Sequence, residues 1–161
     1  MALIRRMSGA DRSMTADLLA SEGLGPDGDF FSADGIDVLV AHNNGRIMGV
    51  VEYDLTCDFG REQGRAGHLG EQAWIYSVMV AASERRGGLG RALPTEVAQR
   101  AQEAGRTFLA LAPQDGTDVL GRRAFFQACG LTLIEPETPG AAWVCPITDV
   151  MRRNIPEARP R

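Results

Sequence analysis

Residues 80–93 read VAASERRGGLGRAL and hold the clearest chemical signal in the chain. They stand between a run of β-forming residues and a helical repeat. At such a junction a glycine-rich loop presents backbone N–H groups to an anion at the positive end of the helix. Gly88 and Gly90 carry no Cβ to crowd phosphate oxygens, and Arg85, Arg86 and Arg91 bring positive charge. Taken alone, the Gly-Gly-Leu-Gly run is a plain turn. The order strand, Arg-x-x-Gly-x-Gly, amphipathic helix is more specific and points to a phosphate-bearing ligand. That ligand is not a dinucleotide gripped by G-x-G-x-x-G, because position 93 is leucine.

The elements that must position this loop are legible on either side of it. Trp74 to Val80 is rich in β-formers and long enough for a central strand. After the loop, Leu93, Val97, Ala101 and Ala104 recur at helical spacing, and Gly105 is the expected stop. Residues 107–112 read as the next strand, so strand, helix and strand form a β-α-β unit with a parallel pair. Pro94 lies inside the helix and removes the bond to Gly90, which predicts a bend or a looser first turn.

Upstream, residues 2–4 predict a short strand, and Met14, Leu18 and Leu19 a first helix. Residues 38–41 and 47–53 flank an Asn44-Gly45 hairpin turn, where both positions need positive φ. Residues 23–36 and 57–70 are glycine-rich loops, the first with a turn around Phe30 and Phe31. Downstream, a helix over 117–129 carries Leu120, Ala124 and Ala128 on one face and stops at Gly130. Strands follow at 131–134 and 142–147, and residues 148–161 read as a polar, frayed tail. The sum is one α/β (α+β) domain with a mixed, mostly antiparallel sheet and helices on both faces.

Composition narrows the chemistry. The chain has 161 residues, and all 17 basic side chains are arginine. Without lysine there is no Schiff base, no Walker phosphate loop and no kinase-type strand lysine. The net charge of −4 gives no basic footprint for nucleic acid. Residues 1–80 nevertheless carry 12 acidic and 6 basic side chains, against 9 and 11 in residues 81–161. An acidic first half beside a basic second half suits a protein that holds a cation with one part and an anion with the other. Solvated surface is the plainer reading of the same charges. Cys57, Cys129 and Cys145 are odd in number and widely spaced, which reads as reduced thiols with no metal centre. No leader or membrane-spanning stretch is visible, so a cytoplasmic protein is expected.

With these residues in place, the chain resembles the GNAT superfamily of acetyl-CoA-dependent N-acetyltransferases. The carrying residues are Val80 with Arg85-Arg86-Gly87-Gly88-Leu89-Gly90, the opening Ile4-Arg5-Arg6, and Phe125-Phe126-x-x-x-Gly130-Leu131. The resemblance implies a single N-acetyltransferase domain over 1–150, with a tail at 151–161. It implies that the central parallel strands splay and that acetyl-CoA enters the gap as co-substrate. Val78 and Val80 pair with its pantetheine, and the amide of Met79 or Val80 polarises the thioester carbonyl. Amides from Arg86 to Ala92, including Gly87, Gly88, Leu89, Gly90 and Arg91, hold the pyrophosphate. Phe126 stands at the cofactor, and Arg122 and Arg123 either touch CoA phosphates or are solvated.

Two departures from the family pattern matter. Phe126 replaces a tyrosine that can protonate the departing thiolate, a tolerable loss because a thiol near pKa ~8.5 leaves readily. Ser77 stands where many relatives carry a carboxylate, and an amine near pKa ~10 must still lose its proton. Glu71, acting through water, and Tyr76 are the expected catalytic residues. Glu52, Asp54 and His68 are further candidates, and Glu52 and Asp54 should share one sheet face. The expected reaction is direct transfer to the primary amine of a small cationic acceptor, drawn by Asp27, Asp29, Asp34 and Asp37. A protein or peptide amine, and an acyl-CoA binder without turnover, are the alternatives. A homodimer is expected from the resemblance only.

Overall fold

The computed structural model describes residues 2–21, 35–58, 70–111, 119–133 and 143–153. Among these residues, seven strands form one sheet: β1 (Leu3–Arg6), β2 (Asp37–Asn43), β3 (Arg46–Asp54), β4 (Gln72–Val80), β5 (Phe108–Leu111), β6 (Thr132–Leu133) and β7 (Trp143–Pro146). Their order is β1-β2-β3-β4-β5-β7-β6, and only β4 and β5 run parallel. Among the described residues there are four α-helices: α1 (Arg12–Ser21), α2 (Leu89–Glu103), α3 (Val119–Ala128) and α4 (Ile147–Arg152).

The two sheet faces carry separate cores. On one, Leu39, Val51, Tyr53, Ile75 and Leu109 meet Leu93, Val97 and Ala101 of α2, Phe126 of α3 and Ile147 of α4. On the other, α1 covers Val38, Val40, Val50 and Met79 with Leu19, while Trp74 and Ala110 form a smaller group. Helices on both faces and the β-α-β parallel pair are as the sequence predicts. The β2–β3 turn is also as predicted, with Asn44 at φ 47° and Gly45 at φ 77°.

Other details differ. Residues 147–152 form α4 rather than a frayed tail, because Ile147 and Val150, each 1% exposed, anchor it against α2. On α3 the buried side is Phe126 and Cys129, whereas Leu120 is 79% exposed. Two aromatic rings bury more apolar area than two alanines, so Phe125 and Phe126 decide which way the helix faces. Met14 points to solvent, and Thr15 takes its place inside, with Oγ1 donating to the Asp11 carbonyl at 2.9 Å. Pro94 is accommodated in a continuous α2, whose first turn closes from Arg91 N and Ala92 N to the Gly88 carbonyl.

Candidate active site

The centre of the sheet is forked. Residues 72–75 of β4 pair with 108–111 of β5, and among the described residues β4 then runs on to Val80 beside β3 alone. The β3–β4 register shifts between Glu52 and Tyr53: Glu52 lies opposite Ser77, but Tyr53 lies opposite Ile75. Tyr76 is therefore the extra residue of a β-bulge, a device that bends its strand and re-aims side chains. Beyond the bulge, the Ala81 N–H donates to the Met48 carbonyl at 2.9 Å. This fixes the parity of the ladder: Ser77 and Met79 turn their backbone groups to β3, and Val78 and Val80 turn theirs to the open side.

The strand leads straight into the glycine loop. Arg86 has φ 68° and Gly88 φ 87°, so the chain twice enters the left-handed region before α2 begins at Leu89. A non-glycine residue held there is uncommon, and alternation of this kind turns successive N–H groups toward one point. The N–H groups of residues 86–90 have no backbone acceptor among the described residues. A Cβ built on Gly88 meets nothing within 4 Å, so open space lies over the loop. Gly90 is closed off by the Phe125 ring, 3.1 Å from where its Cβ would stand.

The sequence-predicted site residues divide. Val78, Val80, Arg85, Arg86, Gly87, Gly88, Leu89 and Gly90 gather along the fork and loop. Arg91 and Ala92 depart from expectation in part: their amides close the first turn of α2 on Gly88, and Arg91 Nη2 donates to the Arg153 carbonyl at 2.8 Å. The Met79 amide faces β3, which leaves the Val80 amide for the opening. Phe126 is a core residue, 8% exposed with its ring 5.4 Å from that of Trp143; Phe125 is the aromatic beside the loop. Arg123 is exposed, whereas Arg122, one turn from Phe125, keeps Nε and Nη2 buried without a partner among the described residues.

Glu71 lies away from the glycine loop. It sits at the closed end of the fork, about 20 Å along β4 from Ser77 at ~3.3 Å per residue. Its carbonyl accepts from Thr107 N and Phe108 N, and its carboxylate pairs with Arg106 Nη1 at 3.1 Å. That position and partner remove it from the opening. Tyr76 does stand at the bulge. Its hydroxyl is pushed up to about 12, first by burial and then by the Cys57 sulfur and Asp54, so it is a hydrogen-bond donor rather than a base near neutrality. His68, Asp27, Asp29 and Asp34 lie outside the described residues.

Glu52 and Ser77 are brought together by the register. Ser77 Oγ donates to Glu52 Oε2, and Glu52 is only 3% exposed. Burial raises its carboxyl above the ordinary range, and the Ser77 bond partly offsets this. A carboxylate inside the apolar run Ile47 to Tyr53 is the signal the sequence offered for it. Among the described residues no cluster of side chains could hold a metal ion, and no helix is long and apolar enough to cross a membrane.

A mixed sheet forked at a parallel pair, with an arginine- and glycine-lined helix N-terminus at the fork, is an α/β arrangement suited to a phosphate-bearing ligand. Residues 11–131 match the model of the acetyltransferase (GNAT) family, and the chain belongs to that family. Solved structures agree on the fold. A GNAT-family protein from Desulfovibrio desulfuricans superposes with TM-score 0.71 at 17% identity, covering 91% of this chain and 99% of that one. The ribosomal-protein-S18-alanine N-acetyltransferase from Escherichia coli gives 0.69 at 16%, covering 91% and 94%. The aminoglycoside N-acetyltransferase AAC(6')-Iy, in complex with CoA, gives 0.67 at 16%, covering 84% and 96%. Comparison with the curated proteins gives no match. The protein is thus an N-acetyltransferase whose co-substrate is acetyl-CoA, and the unpartnered amides over open space at Gly88 fit that molecule's pyrophosphate.

Proposed function

We propose that this protein transfers acetyl from acetyl-CoA to the primary amine of a small, cationic acceptor by direct attack. The observation that carries the reading is the fork, where Val78 and Val80 turn strand-type donors and acceptors toward a gap that ends at the glycine loop. In this reading the amides of residues 86–90 hold the pyrophosphate, with Arg85, Arg86 and Arg122 adding charge. Val78 and Val80 pair with the pantetheine as a missing strand would. The Val80 N–H, pre-aimed by the ladder, stabilises negative charge as it develops on the thioester oxygen. Bound acetyl-CoA supplies the activated acyl group.

The cationic part of this reading is supported by carboxylates on the other side of the sheet. Glu52 and Asp54 stand at alternate positions of β3, on the face that also receives Tyr76 and Ser77. Buried and half-buried carboxylates favour a charged amine over a neutral one. An acetyl-CoA thiol-release assay with spermidine, kanamycin and an alanyl peptide tests this. CoA release with the two polycations and none with the peptide is expected. Release with the peptide alone would reassign the acceptor to a protein amine.

A further inference from the structure

Glu52 is an acidic residue in the middle of an apolar strand, and its two oxygens are treated differently. Oε2 accepts from Ser77, whereas Oε1 is buried with no hydrogen-bond partner among the described residues. A buried acceptor left unsatisfied is costly, more so when charged, and the cost falls only when a donor arrives. The position bears on the reaction: Ser77 precedes Val78, the first residue to face the fork, and cross-strand neighbours stand about 5 Å apart at Cβ. The bulge at Tyr76 brings this pair to its place beside the open length of β4.

We propose that Glu52 takes the proton from the attacking amine, with Ser77 holding the carboxylate in register. This rests on the reading above that the acceptor is an amine. The acceptor arrives as an ammonium and gives one proton to Oε1. Its freed lone pair forms the C–N bond to the acetyl carbon, and the C–S bond breaks. The second proton leaves nitrogen for the departing sulfur, so CoA is released as the thiol, and Glu52 then returns its proton to water. Ser77 on β4 thus positions the carboxylate that β3 supplies across the ladder.

The other groups nearby do not compete. The Asp54 Oδ1 accepts from Thr56 N and Oγ1, both at 2.7 Å, and Glu71 is at the closed end. Around Glu52 on this face stand Val38 from β2, Ser77, Met79 and the bulged Tyr76 from β4, the Leu19 cluster from α1, and Asp54 along β3. Of these, Ser77 is the one that bonds it. Burial lifts the Glu52 carboxyl above its ordinary range, which makes it a stronger base than an exposed carboxylate.

The test joins titration of Glu52 by carboxyl-carbon NMR in the free protein with pH–rate profiles for spermidine, and acetyl-CoA calorimetry as a control. Glu52→Gln is expected to lower kcat/KM by ~10²–10⁴ while acetyl-CoA affinity stays unchanged. Ser77→Ala removes the bond that lowers the Glu52 pKa, so the NMR midpoint and the acid limb of the rate profile should move to higher pH together. Glu103→Gln, exposed at the end of α2, should behave as wild type. An active Glu52→Gln with an unmoved acid limb, or a Ser77→Ala midpoint that shifts without the limb, overturns this inference and leaves the proposed function standing. A protein that binds acetyl-CoA yet turns over no amine overturns both.

Discussion

The Asp11 carboxylate accepts from Arg5 Nη1 at 2.6 Å, Arg5 Nη2 at 2.9 Å, and the Ser8 N–H and Oγ at 2.7 Å each. These bonds, Arg5 first and then Ser8, hold its pKa well below the usual carboxylate range and tie β1 to the start of α1. A folded pKa below the unfolded one gives stability that is present above about 3.9 and drains away as pH falls below it. Asp11→Asn is expected to cost about 1–3 kcal/mol at pH 7. Urea melts at successive pH values should show the gap to wild type narrowing in acid; equal melts at pH 7 would contradict the role. Sequence shows the glycines of the phosphate loop at this scale, because only glycine enters positive φ cheaply. It does not show the left-handed Arg86, or that one bulged residue sets Ser77 against Glu52, since alternation alone cannot say where a ladder slips.

The first turn of α2 is held over β3 by a close approach at Gly49. A Cβ there would stand 3.0 Å from Leu93 Cδ1, 3.3 Å from Leu89 Cδ2 and 3.1 Å from the Met79 carbonyl oxygen. The carbonyl belongs to the β4 ladder and cannot withdraw, so the helix must. Gly49→Ala should therefore destabilise by about 1–3 kcal/mol and weaken acetyl-CoA binding as the loop shifts. Gly9→Ala, where a Cβ meets nothing within 4 Å, should change neither. Unchanged melting and affinity in Gly49→Ala would show that the approach does not position the loop. Both ends of α2 are legible from Gly88 and Gly105, each at positive φ. The facing of α3 and the existence of α4 are not, because Leu120 competes with Phe125 and Phe126 for the core and a single buried Ile147 and Val150 give too short a pattern.

Across the whole molecule, the chain order β, α, β around the loop dictates the parallel pair, and the hairpins dictate the rest of the sheet. That much follows from sequence. The splay does not, for among the described residues β5 pairs with the first residues of β4 alone while the bulge turns the remainder away. The division of labour matches the uneven charge of the chain: arginines gather at the loop end of the fork, and carboxylates on the opposite sheet face. In the proposed function that fork receives acetyl-CoA through the loop amides. Calorimetric titration of acetyl-CoA into the wild type and Gly88→Glu tests it most directly, because the substitution adds a carboxylate and a Cβ at φ 87° where the pyrophosphate should lie. Micromolar-range binding by the wild type, lost in a Gly88→Glu protein of native circular dichroism, is the expected result. Equal heats for both proteins, or none from a well-folded wild type, would mean that the loop is only a turn.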